Sequence, residues 1–187
     1  MEEGRYLTNH FLIAMPSLLD PNFSRGVTFV CQHSKDGAMG IIINRAAPLT
    51  LGDVLAQMDI TTGIDAVAAA PVYLGGPVQP ERGFVLHDTG ERWDSSFDIS
   101  ETLAVTTSRD ILAAMAAGKG PKRALIALGY AGWAEGQLEQ EVRDNSWLTV
   151  AAAPQLIFDT PLDERWNAAA ALVGIDMSLM SDQAGHA

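Results

Sequence analysis

The stretch "RGVTFVCQHSKDGAMGIIINR", Arg25 to Arg45, decides the fold. It holds two β-rich runs, Val27 to His33 and Ala38 to Asn44, on either side of "SKDG". Asp36 and Gly37 supply turn chemistry between them, so the pattern predicts a β-hairpin. Upstream, "HFLIAMPSLL" reads as a buried strand ended by Pro16, with a turn at Asp20 and Pro21. Downstream, "TLGDVLAQM" places Leu51, Val54, Leu55 and Met58 at helical spacing, with Thr50 and Asp53 as an N-terminal capping pair. "PVYLGGPVQPERGFVLHD" then predicts a second hairpin, Val72 to Leu74 against Phe84 to His87, around a connection rich in Pro and Gly.

The rest of the chain alternates less regularly. Asp88 to Glu101 carries five carboxylates and one arginine with no sustained period, and reads as a long exposed loop. "TLAVTTS" follows as a strand; Ser108 caps the helix "RDILAAMAAG", and Gly118 ends it in a left-handed conformation. "RALIALGY" is a nearly continuous apolar run, suited to a central strand buried on both faces. "WLTVAA" and "QLIF" read as strands, and "TPLDERWNAAAALVG" as a helix with Thr160 at the N-cap, Pro161 at the first helical position and Gly174 as the stop. The tail from Asp176 reads as loose. Early hairpins with helices scattered later favour a mixed α+β fold over a doubly wound parallel one.

A chain of 187 residues suits one cooperative core, so residues 1–187 are expected to form one domain. Apolar residues make up 48% and charged residues 19%, the profile of a folding chain rather than a disordered one. The net charge of −11 repels nucleic-acid backbones unless a basic face overrides it. The one basic cluster, "KGPKR" from Lys119 to Arg123, reads as the end of a helix and the opening of a strand. Cys31 is the single cysteine, which excludes an intrachain disulfide and the multi-cysteine zinc patterns. The apolar run from Phe11 to Leu19 is short and broken by Pro16, so neither a signal peptide nor a membrane span is expected, and a cytoplasmic location fits.

Chemistry concentrates in "GYAGWAEGQLEQE", Gly129 to Glu141. "AGW" is placed at a strand-to-helix junction, where Gly132 supplies an unusual backbone angle or lets a ligand or backbone approach. With a helix from about Ala134, Gln137 and Glu141 fall one turn apart on a stripe, whereas Glu139 is offset and can pair with Arg143 as an ordinary surface residue. Trp133 is either a ring for a ligand to stack on or a core indole whose N–H finds a carboxylate. Glu141 is a general base or acceptor in a cleft, or a partner for a nearby donor.

Other candidates are weaker. His33 and His87 sit at predicted strand ends and could converge with Glu141, but no HExxH or closely spaced histidine pair is present, and His10 and His186 stand alone. No metal or cofactor is therefore expected. Cys31 shares strand parity with Val27, Phe29 and His33 and reads as a small core residue more readily than as a nucleophile. Gly75 and Gly76 offer consecutive N–H groups for an anion, or simply a tight bend.

In their order and spacing, "LIAMPSLLDPNF", "GAMGIIINR", "YLGGPV", "GFVLH", "LGYAGWAEGQLEQEV", "NSWL" and "RWNAAAALVG" resemble the bacterial AlgH/YqgE family over nearly the whole chain. The resemblance implies a mixed α/β fold with a bifurcated or barrel-like sheet flanked by helices. It brings no established reaction; members are often labelled transcriptional regulators, a genetic attribution tied to alginate regulation. Positions matching the family motif are Asn44, Arg45, Gly75, Gly76, Pro77, His87, Gly132, Trp133, Gln137, Glu141 and Trp147, with no roles attached. Ala134-Glu135 departs from many relatives, which have a proline there. Three functions follow in order: a regulatory or ligand-sensing protein acting on a small molecule or protein partner near Trp133, Gln137 and Glu141; a hydrolase-like enzyme using His87 and Glu141; and a direct DNA binder. The ligand and the oligomeric state are left open.

Overall fold

A computed structural model of the chain describes residues 6–179. The predicted first strand and hairpin form β1 (His10–Ala14), β2 (Val27–Ser34) and β3 (Gly37–Ile42), an antiparallel meander in which Ser34 faces Gly37 across the tight turn. Next come β4 (Ala46–Thr50), α1 (Leu51–Gln57), α2 (Asp65–Ala68), β5 (Pro71–Leu74) and β6 (Val78–Asp88). Thr50 and Asp53 cap α1 reciprocally, as their spacing predicts. The second half contains β7 (Ser96–Asp98), β8 (Leu103–Thr106), α3 (Arg109–Ala116), β9 (Ala124–Trp133), α4 (Gln137–Arg143) and β10 (Trp147–Ala151), then α5 (Pro154–Phe158), a 3-10 turn (Leu162–Glu164) and α6 (Arg165–Leu172).

The central strand is β9, from the apolar run "RALIALGY" and its continuation through Trp133. One edge of β9 pairs with β6; the other is shared by β5, parallel over Ile126 to Leu128, and β3, antiparallel over Ala131 to Trp133. The sheet therefore forks, and it curls into a half-barrel with the path β10-β1-β2-β3-β9-β6-β8-β7. At the fork Gly129 has φ +76°, and a Cβ there would run into the Gly76 carbonyl oxygen. Helices cover both faces. Leu156, Ile157, Trp166 and Ala169 of α5 and α6 pack into one core, and Leu51, Leu55, Ile111 and Leu112 of α1 and α3 into another. The mixed α+β expectation holds, including the bifurcation.

Several local expectations change. The hairpin of Val72–Leu74 with Phe84–His87 does not form, because β9 inserts between β5 and β6 and the Gly75-Gly76-Pro77 step carries the chain across it. "QLIF" lies in the helix α5, opened by Pro154 at its start; an apolar run of three residues, Leu156 to Phe158, has no period to distinguish helix from strand. The last helix begins at Arg165 instead of Pro161, since the Arg165 Nε donates to the Thr160 carbonyl (2.9 Å) and a 3-10 turn intervenes. The acidic loop contains β7, paired with β8. Ser108 occupies the N-cap of α3, but its hydroxyl donates to Asp110 Oδ1 (2.5 Å) instead of accepting from the helix. Met177 is buried in the core, so the chain is anchored beyond Asp176; residues 180–187, including His186, lie outside the described residues.

Candidate functional site

Gly136, at φ +76°, delays α4 to Gln137, so "AGW" belongs to the end of β9. One helical turn then aligns Gln137 with Glu141, as their spacing predicts. Glu141 Oε1 accepts the indole N–H of both Trp133 and Trp147, each at 2.9 Å. Its Oε2 accepts from Gln137 Nε2 (3.0 Å), while Gln137 Oε1 takes the Ala134 N–H (3.0 Å). Phe23 packs against both indoles, with ring centroids 6.1 and 5.5 Å away. Of the two readings of Trp133, the core indole is the one observed. Glu141 has both oxygens engaged and braces the tryptophans.

His33 is buried at the end of β2. The Leu7 N–H donates to its Nδ1 (2.9 Å), so the ring proton sits on Nε2, which meets Glu139 Oε1 at 3.1 Å. Glu139 is thus not simply an outward residue paired with Arg143, whose Nη2 donates to Gln140 (2.9 Å). Burial acts to raise the Glu139 pKa, but its own backbone N–H, His33 and Arg143 together hold it below the ordinary carboxylate value. His87 is buried elsewhere, between the Asp88 carbonyl and the Thr106 hydroxyl, each at 2.7 Å. It lies opposite Ala124 at the start of β9, whereas Glu141 holds Trp133 at the other end, about 30 Å along an extended strand. The two do not form an acid–base pair, and the hydrolase reading loses its geometry.

The remaining motif positions serve the backbone. Asn44 Oδ1 accepts the Val27 N–H (2.8 Å) and its amide donates to the Arg25 carbonyl (2.9 Å). Arg45 donates to the Asn22 and Ser24 carbonyls. The Gly75 N–H is spent on the Leu128 carbonyl (2.8 Å), so the Gly75-Gly76 step, ended by Pro77, is a bend and not an anion nest. Burial pushes the Cys31 thiol well up, consistent with a core residue. No group of three or more metal-ligating side chains occurs among the described residues.

Gly132 differs from these glycines. It is exposed, outside the positive-φ region, and an added Cβ would meet nothing nearer than Tyr130 Cε2 at 3.5 Å. Nothing in the fold requires glycine there. It opens onto a groove of about 610 Å³ walled by Met39, Phe84, Phe97 and Tyr130. A neighbouring hollow of about 570 Å³ shares Gln32, Ala38, Met39 and Trp133 with it. Arg82 stands over the Phe84 ring at 5.4 Å and has no ion pair among the described residues.

Sequence reading did not find this groove, because it is assembled from β2, β3, β6, β7 and β9. It also missed Arg165, which is buried and donates to the carbonyls of Thr160 and Ile43, with Tyr73 beneath it. The available signal was helical spacing: Arg165 falls four residues before the fully buried Ala169.

A half-barrel α+β domain, with a forked sheet and a carboxylate clamping two tryptophans, defines the class of protein. The AlgH-like family profile matches residues 11–178, and the chain belongs to that family. It is 58% identical to a UPF0301 protein of Thioalkalivibrio sulfidiphilus, with both chains fully covered. It is 55% identical to a UPF0301 protein of Methylococcus capsulatus over 98% of each. The solution structure of the AlgH protein from Pseudomonas aeruginosa superposes with a TM-score of 0.81 at 50% identity, covering 97% of this chain and 96% of that one. No helix among the described residues is long and apolar enough to cross a membrane.

Proposed function

We propose that the chain is a regulatory ligand-binding protein whose site is the groove in front of Gly132 and Trp133. The observation that carries this reading is Gly132, a strand glycine with no backbone or packing need, opening onto an aromatic wall. Glycine commonly marks a close approach by a ligand. The other motif side chains support the reading indirectly: Glu141, Gln137 and Trp147 fix the indole that forms one end of the groove. Phe84, Phe97 and Tyr130 offer apolar faces, and Arg82, which donates to Gln79 Oε1 (3.3 Å) but has no ion pair among the described residues, offers a guanidinium, a combination suited to a small amphipathic anion.

A thermal-stability screen of small carboxylates and phosphates tests this against the wild type and Gly132→Leu. A ligand at 100 times its dissociation constant adds about 2.7 kcal/mol of stability. The leucine side chain enters the groove, so a true ligand is lost in that variant. A hit that stabilises both proteins equally, or the absence of any hit, overturns the reading.

A further inference from the structure

On the other face of the sheet, α1 and α3 leave a recess of about 290 Å³ against β6 and β9. Strand alternation along β6 sets it apart from the groove, with Thr107 bordering both: Phe84 points to the groove, while Glu81, Gly83 and Val85 share the opposite parity and line the recess. Aliphatic side chains, Val54 and Met58 from the α1 end, Leu112 from α3 and Ile126 from β9, line it together with the polar Gln57, Thr106, Thr107 and Ser108. An added Cβ at Gly83 would meet no atom within 4 Å, so the recess exists partly because that position has no side chain.

Polar groups at the recess set what could fill it. Glu81 is exposed at the edge of the recess and has neither an ion pair nor a side-chain hydrogen bond among the described residues, and no Lys or Arg lines the recess. Arg109, at the start of α3, is engaged by the Met58 carbonyl (3.1 Å) and does not line it. We propose that the recess is a second binding site, for a short linear aliphatic amine whose chain lies on Val54, Leu112 and Ile126 and whose ammonium group meets Glu81.

Titration of isotope-labelled protein with n-octylamine, 1-octanol and octanoate, followed by methyl NMR, tests the assignment. Octylamine is expected to give saturable shifts at Val54, Leu112 and Ile126, with octanoate at least tenfold weaker. Gly83→Leu fills the recess without altering net charge and is expected to abolish the shifts, which separates this site from general attraction of amines to an acidic protein. Glu81→Gln is expected to remove the preference for amine over alcohol, and it decides the matter even where Gly83→Leu fails to fold. Gly132→Leu leaves amine binding unchanged, so this site and the groove stand or fall separately. Undiminished binding in folded Gly83→Leu, equal affinity for octanoate, or no saturation overturns the proposal.

Discussion

Glu141 accepts from two nearly buried indoles on one oxygen, so its removal leaves two donors without a partner at once. Each buried donor left unpaired costs about 1–3 kcal/mol. Glu141→Ala is therefore expected to destabilise the protein by about 2–6 kcal/mol, and Glu141→Gln by less, since the amide oxygen still accepts. Urea unfolding followed by tryptophan fluorescence measures both; a loss below about 0.5 kcal/mol for the alanine variant contradicts the clamp. Helical spacing made the alignment of Gln137 with Glu141 readable in the sequence, but it could not pair Glu139 with His33, because that contact joins residues 106 positions apart. The His33 contact has its own consequence. The Glu139 carboxyl lies below its ordinary value of 4.5: burial opposes this, and its backbone N–H, His33 and Arg143 outweigh the burial. A carboxyl whose pKa is lower in the folded than in the unfolded state stabilises the fold when ionised. Its contribution is complete above about pH 4.5 and is lost as acid carries it through the lowered folded value. Glu139→Gln should be less stable than wild type at pH 7, with the gap closing as pH falls below about 4.5, as denaturant midpoints across the acid range will show. A gap independent of pH would exclude ionisation as its source.

Gly129 and Gly132 lie three residues apart on β9 and do opposite things. Gly129 bends the strand at φ +76° where the Gly76 carbonyl crosses it, and Pro80 and Val78 close the remaining space. A left-handed conformation costs an alanine roughly 1–2 kcal/mol, and the backbone clash adds about 1–3 more. Gly129→Ala is expected to lose about 2–5 kcal/mol, or to fail to fold. Gly132→Ala meets ordinary contacts and should change stability by less than about 1 kcal/mol. Thermal melts of the two variants decide this, and equal losses would mean that Gly132 also serves the fold. At this scale the sequence was informative about what is local. The capping box of α1, the Asp36-Gly37 hairpin and the doubly buried run of β9 each announce themselves in consecutive residues. That β5 and β6 lie on opposite sides of β9 leaves no trace in either strand, so the Pro and Gly rich connection between them looked like a hairpin turn.

Across the whole molecule, β9 organises the sheet by serving three strands, and its position as the fork explains why the groove escaped sequence reading. The groove walls come from strands that meet only after β9 has inserted between β5 and β6. The recess behind α1 and α3 depends on the same insertion, since Ile126 and Val85 line it side by side. Both candidate sites are therefore properties of the assembled sheet. The assembly also orders local stability. Over Ile126 to Leu128, β9 is paired on both edges, to β5 and to β6, and covered on its faces by the two cores. Amides there open only when the sheet comes apart, so they should exchange with solvent at the rate set by global unfolding. The three-residue β7 pairs with β8 alone at the end of the sheet and can detach with little loss of core. Hydrogen exchange under native conditions should find the slowest amides in β9 and much faster exchange in β7. Equal protection in the two strands would mean that the curled sheet unfolds as one unit, and that β9 is no more central to its stability than the strand at its edge.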